Sequence, residues 1–279
     1  MEPSFFAPDH PIILGLHGKA LTGKTITGES IAPRGYIPDA SKNPIQWDHL
    51  FFALPLYKMS TARQKITGLH AKDRIRYEIH AELLDILGRS PLFGAPPYEH
   101  LVDMVEKIAS IPIIEGQKPR SFLQDVGTFC RNWNEDCFVE WIDRMINNSF
   151  QLFQKEQEKF SDPDPTQDDY LPQKPFCGLG FVLSDIRYPN EAWYVHQSRN
   201  SILIELTASE EVRQERAMKR DGHFLTEKQA QHSSEVQSIP QEWFDASLDT
   251  TDLNVKEQVS AVLEIVKTKL KGIPTHGSY

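Results

Sequence analysis

Gly18, Gly23, Lys24 and Thr25 stand at the spacing G-x-x-x-x-G-K-T, within Gly18-Lys19-Ala20-Leu21-Thr22-Gly23-Lys24-Thr25. Glycines so placed let backbone N–H groups turn inward around an anion, because they accept φ > 0 and carry no Cβ. The lysine supplies a point charge to the outer phosphates of a triphosphate, and the threonine hydroxyl a ligand for Mg²⁺. The octet directly follows an apolar run, Ile12-Ile13-Leu14-Gly15-Leu16. That is the setting a phosphate-binding loop needs. A buried strand feeds a turn, and the turn opens a helix, here expected from about Ile26, whose positive end adds to the site. All eight residues are therefore read as an ATP site, with Thr25 a metal ligand.

Three further segments carry polar residues at informative spacings. In Arg120 to Arg131, a helix places Arg120, Gln124, Gly127 and Arg131 on one stripe and offers Phe122, Leu123, Val126 and Phe129 to the core. Arginine forks onto phosphate, glutamine reads a base edge, and glycine lets a ligand approach. The alternative is a solvated face of an amphipathic helix. In Ser184-Asp185-Ile186-Arg187-Tyr188-Pro189-Asn190-Glu191, which follows an apolar strand, the acid stands where ligands bind in open α/β sheets. Asp185 suits Mg²⁺ or its waters and Arg187 a transferring phosphate. Asn190 reads as a helix N-cap with Glu191 in the first turn. In the third, Thr207-Ala208-Ser209-Glu210 has capping-box spacing, and Arg213, Arg216 and Arg220 share the face of the helix it opens. Such a helix suits a lid over a triphosphate; ion pairing on a helix surface, Glu215 to Lys219 among it, is the alternative.

These residues need a frame. Ile12 to Leu16, Leu179 to Leu183 and Ile202 to Leu206 read as buried strands of a parallel sheet. Arg74 to Leu87, Glu99 to Ser110, Cys137 to Phe153 and Asn254 to Leu270 read as helices, the first, third and fourth by their apolar faces. Strands alternating with helices behind a phosphate loop give an α/β, doubly wound, nucleotide-kinase-like sheet flanked by helices. The expected layout is one domain over residues 1–279, with a helical part over about 45–160, a loop over 161–175 and a lid over about 210–238.

A net charge of −9 argues against a nucleic-acid polymer as partner. It leaves small phosphorylated ligands, which need a few placed arginines. No apolar run reaches the roughly 20 residues that span a bilayer, so no membrane is expected. The N-terminus lacks a signal-peptide pattern, and Cys130, Cys137 and Cys177 have neither zinc nor disulfide spacing. Idle thiols in a reducing cytoplasm are the expectation.

The loop GKALTGKT, then FFALPLYK (Phe51 to Lys58), RSFLQDVGTFCR (Arg120 to Arg131), SDIRYPNEA (Ser184 to Ala192), the arginine helix and HSSE (His232 to Glu235) follow one another in order. In these segments the chain resembles the bacteriophage deoxynucleoside monophosphate kinases of the T-even type, over about residues 12–250. The resemblance implies ATP- and Mg²⁺-dependent phosphorylation of a deoxynucleoside monophosphate to the diphosphate. It also implies a helical monophosphate-binding part and an arginine lid, often a homodimer, and, for a phage protein, the host cytoplasm. Carried over by residue, Lys24 and Thr25 serve the phosphates and Mg²⁺. Arg120, Gln124 and Arg131, with Lys58 and Thr128 of the same segments, line the monophosphate side. Asp185 and Arg187 lie between the two, and Arg216 and Arg220 are lid arginines, Arg216 also touching ATP.

The chain departs from that family in ending its loop on Gly23-Lys24-Thr25, where Gly-Lys-Asp is common, and in its Gly88 to Gln117 and Ser161 to Pro175 insertions. Two rival readings stand beside it. One is a kinase of another small acceptor, such as dephospho-coenzyme A kinase. The other is a nucleotide-dependent switch that needs no acceptor.

Overall fold

The structure, a computed structural model, describes residues 10–32, 45–88, 96–112, 119–161, 178–224, 226, 231 and 236–271. It forms two compact units, one within Met1–Phe51, Arg144–Arg216 and Leu225–Tyr279, the other Phe52–Asp143 with Ala217–Phe224.

The first unit is built on a five-stranded parallel sheet. Its strands are β1 (Ile12–His17), β2 (Ile45–Leu50), β3 (Gly178–Ile186), β4 (Ser201–Thr207) and β5 (Ala246–Asp249), in the order β2-β3-β1-β4-β5. The three expected strands are the three central ones. Their continuous apolar runs reflect burial on both faces. Ile12, Leu14 and Leu16 pack into a core with Trp47, Ile202, Ile204 and Leu206, which also takes Ile31 of helix α1 (Lys24–Ile31) and Val259, Val262 and Val266 of the last helix, Val255–Lys271. Helix α7 (Pro189–Gln197) covers the other face, where Gly15 leaves room for Val195 and Leu203. β2 and β5 were not expected. They are edge strands, and β2 (IQWDHL) buries Trp47 alone, its indole lying over Gly180 of β3.

The second unit holds helices α2 (Leu54–Lys65), α3 (Ala71–Leu87), α4 (Tyr98–Ser110), α5 (Arg120–Trp133) and the first turns of α6 (Cys137–Ser161). Ile79, Leu83, Ile86, Ile108, Phe122 and Val126 form part of its interior. Arg63 satisfies the end of α4 by donating to the carbonyl oxygens of Ile108, at 3.3 Å, and Ile111. The helical part is shorter than the 45–160 expected, since Ile45–Leu50 is a strand of the sheet and α6 from Arg144 onward belongs to the sheet unit. Residues 162–175 of the expected loop lie outside the described residues.

With the phosphate loop behind β1, this is an α/β fold of P-loop type. β1 lies at the switch point, with β3 on one side and β4 on the other, so its carboxyl end faces the crevice where such sheets bind ligands.

Candidate functional site

The phosphate loop leaves β1 at His17, and α1 begins at Lys24, two residues earlier than expected. Gly18 (φ 146°) and Gly23 (φ 95°) take backbone conformations that side chains rarely adopt, and a Cβ on Gly18 would collide with the Leu206 carbonyl oxygen. That is a cradle only glycine fits. Lys24 is buried, and its ammonium donates to the carbonyl oxygens of Gly18 and of Lys19, the latter at 2.8 Å. Thr25 is exposed on the first turn of α1. The loop is braced from behind. Thr22 carbonyl accepts from Thr250 Oγ1 at 3.1 Å and Gln258 Nε2 at 3.2 Å, and Gln258 also donates to Thr27 Oγ1 at 2.9 Å. Neither Thr250 nor Gln258 has a sequence signature, since each meets the loop from more than 200 residues away.

Asp185 lies near the end of β3, half-buried, and Arg187 just beyond it. The register between β1 and β3 shifts here. Gly15 pairs with Leu183 but His17 with Ile186, so Ser184 and Asp185 together oppose Leu16. This is a β-bulge, a device that re-aims a side chain beside an active site. Arg187 and Lys24 both act on His17. Its pKa is lowered to about 4, first by burial, then by Lys24, with Arg187 a smaller cause in the same direction and the Ile186 bond and Glu205 opposing.

The turn after β3 is held by Glu191. Its side chain is buried and accepts from the backbone N–H groups of Arg187 at 2.8 Å and Tyr188 at 3.1 Å. Here the expected N-cap is corrected. The helix opens with Pro189 at its first position, so Tyr188 is the cap residue and Asn190 lies one step inside, accepting from Glu191 N–H at 3.0 Å. The Pro-Asn-Glu run is thus an element that fixes the Arg187 backbone.

The arginine helix is α8 (Glu210–Asp221). Its cap is Ser209, which accepts from Val212 N–H at 3.3 Å; Thr207, the cap expected from capping-box spacing, ends β4 instead. Each of its three arginines has a partner within the protein. Arg213 is buried and paired with Glu210. Arg216 donates to the Leu21 carbonyl oxygen at 3.1 Å, Thr250 Oγ1 at 3.2 Å and the Thr250 carbonyl oxygen at 2.7 Å. Arg220 pairs with Asp221 at 2.8 Å. Residues 232–235 lie outside the described residues.

The helical unit carries Lys58, Gln124, Thr128 and Arg131; the side chain of Arg120 lies outside the described residues. The α5 stripe exists, with a different use for its glycine. A Cβ on Gly127 would meet Arg131 Nη1 at 3.0 Å, so the space over the glycine is taken by Arg131 itself, not left for a ligand. The Arg131 guanidinium also lies 4.6 Å from the Phe138 ring centroid. Thr128 donates back to the Gln124 carbonyl oxygen at 2.9 Å. Lys58 pairs with Glu82 at 3.6 Å and lies beside Trp141, whose indole donates to Asp85 at 2.6 Å. Glu82 and Asp85 were not singled out from sequence. Burial pushes the Glu82 carboxyl up, against the opposing charge of Lys58.

Among the described residues no group of three or more His, Cys, Asp or Glu side chains is placed to hold a metal ion. Thr25 and Asp185 offer one hydroxyl and one carboxylate, a donor set that fits Mg²⁺, which keeps several waters and binds through one or two protein oxygens plus phosphates. No described helix is long and apolar enough to cross a membrane. Cys130 and Cys137 are buried free thiols, pushed up by burial, Cys130 to about 12. Cys177 lies outside the described residues.

No protein-family model matches the chain, and no curated protein is recognisably similar to it. Among solved structures it is similar to a gluconokinase from Sinorhizobium meliloti 1021, at 14% identity and a TM-score of 0.39, covering 95% of this chain and 97% of that one. It is also similar to TT1252 from Thermus thermophilus, at 16% identity and a TM-score of 0.39, covering 94% and 99%. These superpositions are loose.

Proposed function

We propose that the chain is a kinase that transfers the γ-phosphoryl group of ATP to a deoxynucleoside monophosphate. The observation that carries the first half of this reading is the phosphate loop at the switch point of a parallel sheet, with Lys24, Asp185 and Arg187 supplied by one unit. The acceptor rests on the ordered segments FFALPLYK, RSFLQDVGTFCR and SDIRYPNEA. It is supported by a separate helical unit whose α5 carries Gln124 and Arg131 on one stripe.

The chemistry asks little covalent work of the protein. An acceptor phosphate oxygen, already ionised near neutrality, forms a bond to the γ-phosphorus as the bond to the β,γ-bridging oxygen breaks, and ADP leaves. No general base is needed, so the protein's part is positioning and charge neutralisation. Lys24 turns from the loop carbonyls to the β- and γ-phosphates. Arg187, on a turn pinned by Glu191, meets charge that spreads over the transferring oxygens. Arg131, with Arg120, Gln124, Thr128 and Lys58, holds the monophosphate and its base. Arg216 fixes the loop through Leu21, and Arg220 is a lid arginine that exchanges Asp221 for phosphate. Mg²⁺, when bound by Thr25 and Asp185, neutralises phosphate charge.

The test is ADP release from ATP across a panel of acceptors: the four common deoxynucleoside monophosphates, their ribose counterparts, dephospho-coenzyme A and no acceptor. Release stimulated by one or more deoxynucleoside monophosphates supports the reading. Stimulation by dephospho-coenzyme A alone, or turnover indifferent to any acceptor, replaces it with a rival.

A further inference from the structure

Asp185 stands between two residues that are each tied to a histidine from a different strand. Ile186 carbonyl, one residue after it, lies 3.1 Å from Nδ1 of His17, the last residue of β1. Ser184 Oγ, one residue before it, lies 2.6 Å from Nε2 of His49 in β2. A carbonyl oxygen only accepts, so His17 holds its proton on Nδ1 and donates. The bulge makes both ties matter. Two residues of β3, Ser184 and Asp185, face one of β1, so both ties fall where β3 departs from regular pairing with β1.

Both rings are themselves wedged. His17 packs on Phe244 with ring centroids 5.4 Å apart. His49 fills the space over Gly28 of α1, where a Cβ would lie 2.6 Å from its Nε2. His49 therefore ties three things together: the helix that follows the phosphate loop, β2, and the bulge of β3. Both histidines have pKa values lowered to about 4, with burial the largest cause, so they are neutral donors or acceptors near neutral pH.

We propose that His17 and His49 are a pair of positioning residues that hold the bulge of β3, and so the Asp185 carboxylate, in register with Thr25 and the phosphate loop for handling Mg²⁺·ATP. This rests on the assignment of Asp185 and Thr25 to the metal side of the phosphate site, and not on which acceptor is phosphorylated.

The test uses amide replacements that keep one ring nitrogen each. Asparagine places its amide where histidine has Nδ1, and glutamine where it has Nε2. His17→Asn and His49→Gln should therefore preserve the ties, while His17→Gln, His49→Asn and both alanine variants break them. The readout is calorimetric ATP binding to the full chain as a function of Mg²⁺ concentration, with ATP binding in EDTA as the reference. The tie-breaking variants should need at least tenfold more Mg²⁺ for half-maximal enhancement, with affinity in EDTA changed less than twofold. His17→Asn and His49→Gln should stay within threefold of the unsubstituted protein. Equal Mg²⁺ dependence in the asparagine and glutamine variants at each position would overturn the proposal, even if the alanine variants fail to fold. So would ATP binding in the unsubstituted protein that does not respond to Mg²⁺. A protein that binds Mg²⁺·ATP but phosphorylates no deoxynucleoside monophosphate would fail the acceptor assignment while the histidine comparison still decides this proposal.

Discussion

Leu21 holds a left-handed backbone conformation (φ 70°), and its carbonyl oxygen accepts a hydrogen bond from the Arg216 guanidinium at 3.1 Å. A branched residue there costs of order 1–3 kcal/mol unless its surroundings enforce it. Arg216, which also grips Thr250 through two contacts, is that enforcement.

Arg216→Ala should accordingly weaken ATP binding tenfold or more and lower stability by about 2 kcal/mol, since it leaves two carbonyl oxygens without a charged donor. Arg216→Lys keeps the charge but not the fork, and should recover less than half of the binding loss. Leu21→Gly relieves the strain that Arg216 holds down, so the double variant should bind ATP better than Arg216→Ala alone. Calorimetry on the four proteins checks this; additive losses would remove the coupling.

Arg131→Ala should raise KM for the acceptor tenfold or more and KM for ATP less than threefold. The guanidinium sits in the helical unit, above Gly127 and against Phe138. Steady-state kinetics with each substrate varied gives the split. Equal effects on both substrates would make Arg131 a structural residue.

Glu191→Ala removes the acceptor for two backbone N–H groups in a buried place, and Glu191→Gln keeps one oxygen. A hydrogen bond to a charged group is worth about 1.5–3 kcal/mol, so the alanine variant should lose several kcal/mol in urea denaturation and glutamine clearly less. Turnover should fall further than stability explains, because Arg187 rides on this turn. An alanine variant with full turnover would detach Arg187 from the chemistry.

Burial holds the His49 pKa at about 4, against 6.5 for the free side chain. As pH falls below 6.5 the unfolded chain takes up this proton first, so stability declines through that window and the loss levels off below about 4. The span is worth at most about 3 kcal/mol. Above pH 6.5 both states are neutral and the contribution is constant. His49→Gln should flatten the fall in urea midpoint between pH 7 and 4.5 relative to the unsubstituted protein. Parallel curves would contradict the burial argument.

The central sheet was legible because strands buried on both faces are written as unbroken apolar runs, and the phosphate loop because its glycine spacing is a geometric demand. β2 and β5 were not: β2 buries one residue in six, and β5 is four residues long with none buried, too little for a pattern to be read. The arginine stripe on α8 was visible as a face, but periodicity does not say that Arg216 meets a carbonyl 195 residues away. His17 and His49 carry no spacing signal either, because their partners are set by strand register across 169 and 135 residues. The one hint was a polar residue closing an apolar strand immediately before the first loop glycine.

The proposed reaction is direct transfer between two nucleotides. Single-turnover reaction of the protein with ATP labelled at the γ-phosphate, Mg²⁺ and each deoxynucleoside monophosphate follows the label itself. The label should appear in a deoxynucleoside diphosphate, with free phosphate appearing at less than a hundredth of that rate. Label released only as inorganic phosphate, at a rate the monophosphate does not change, would contradict it.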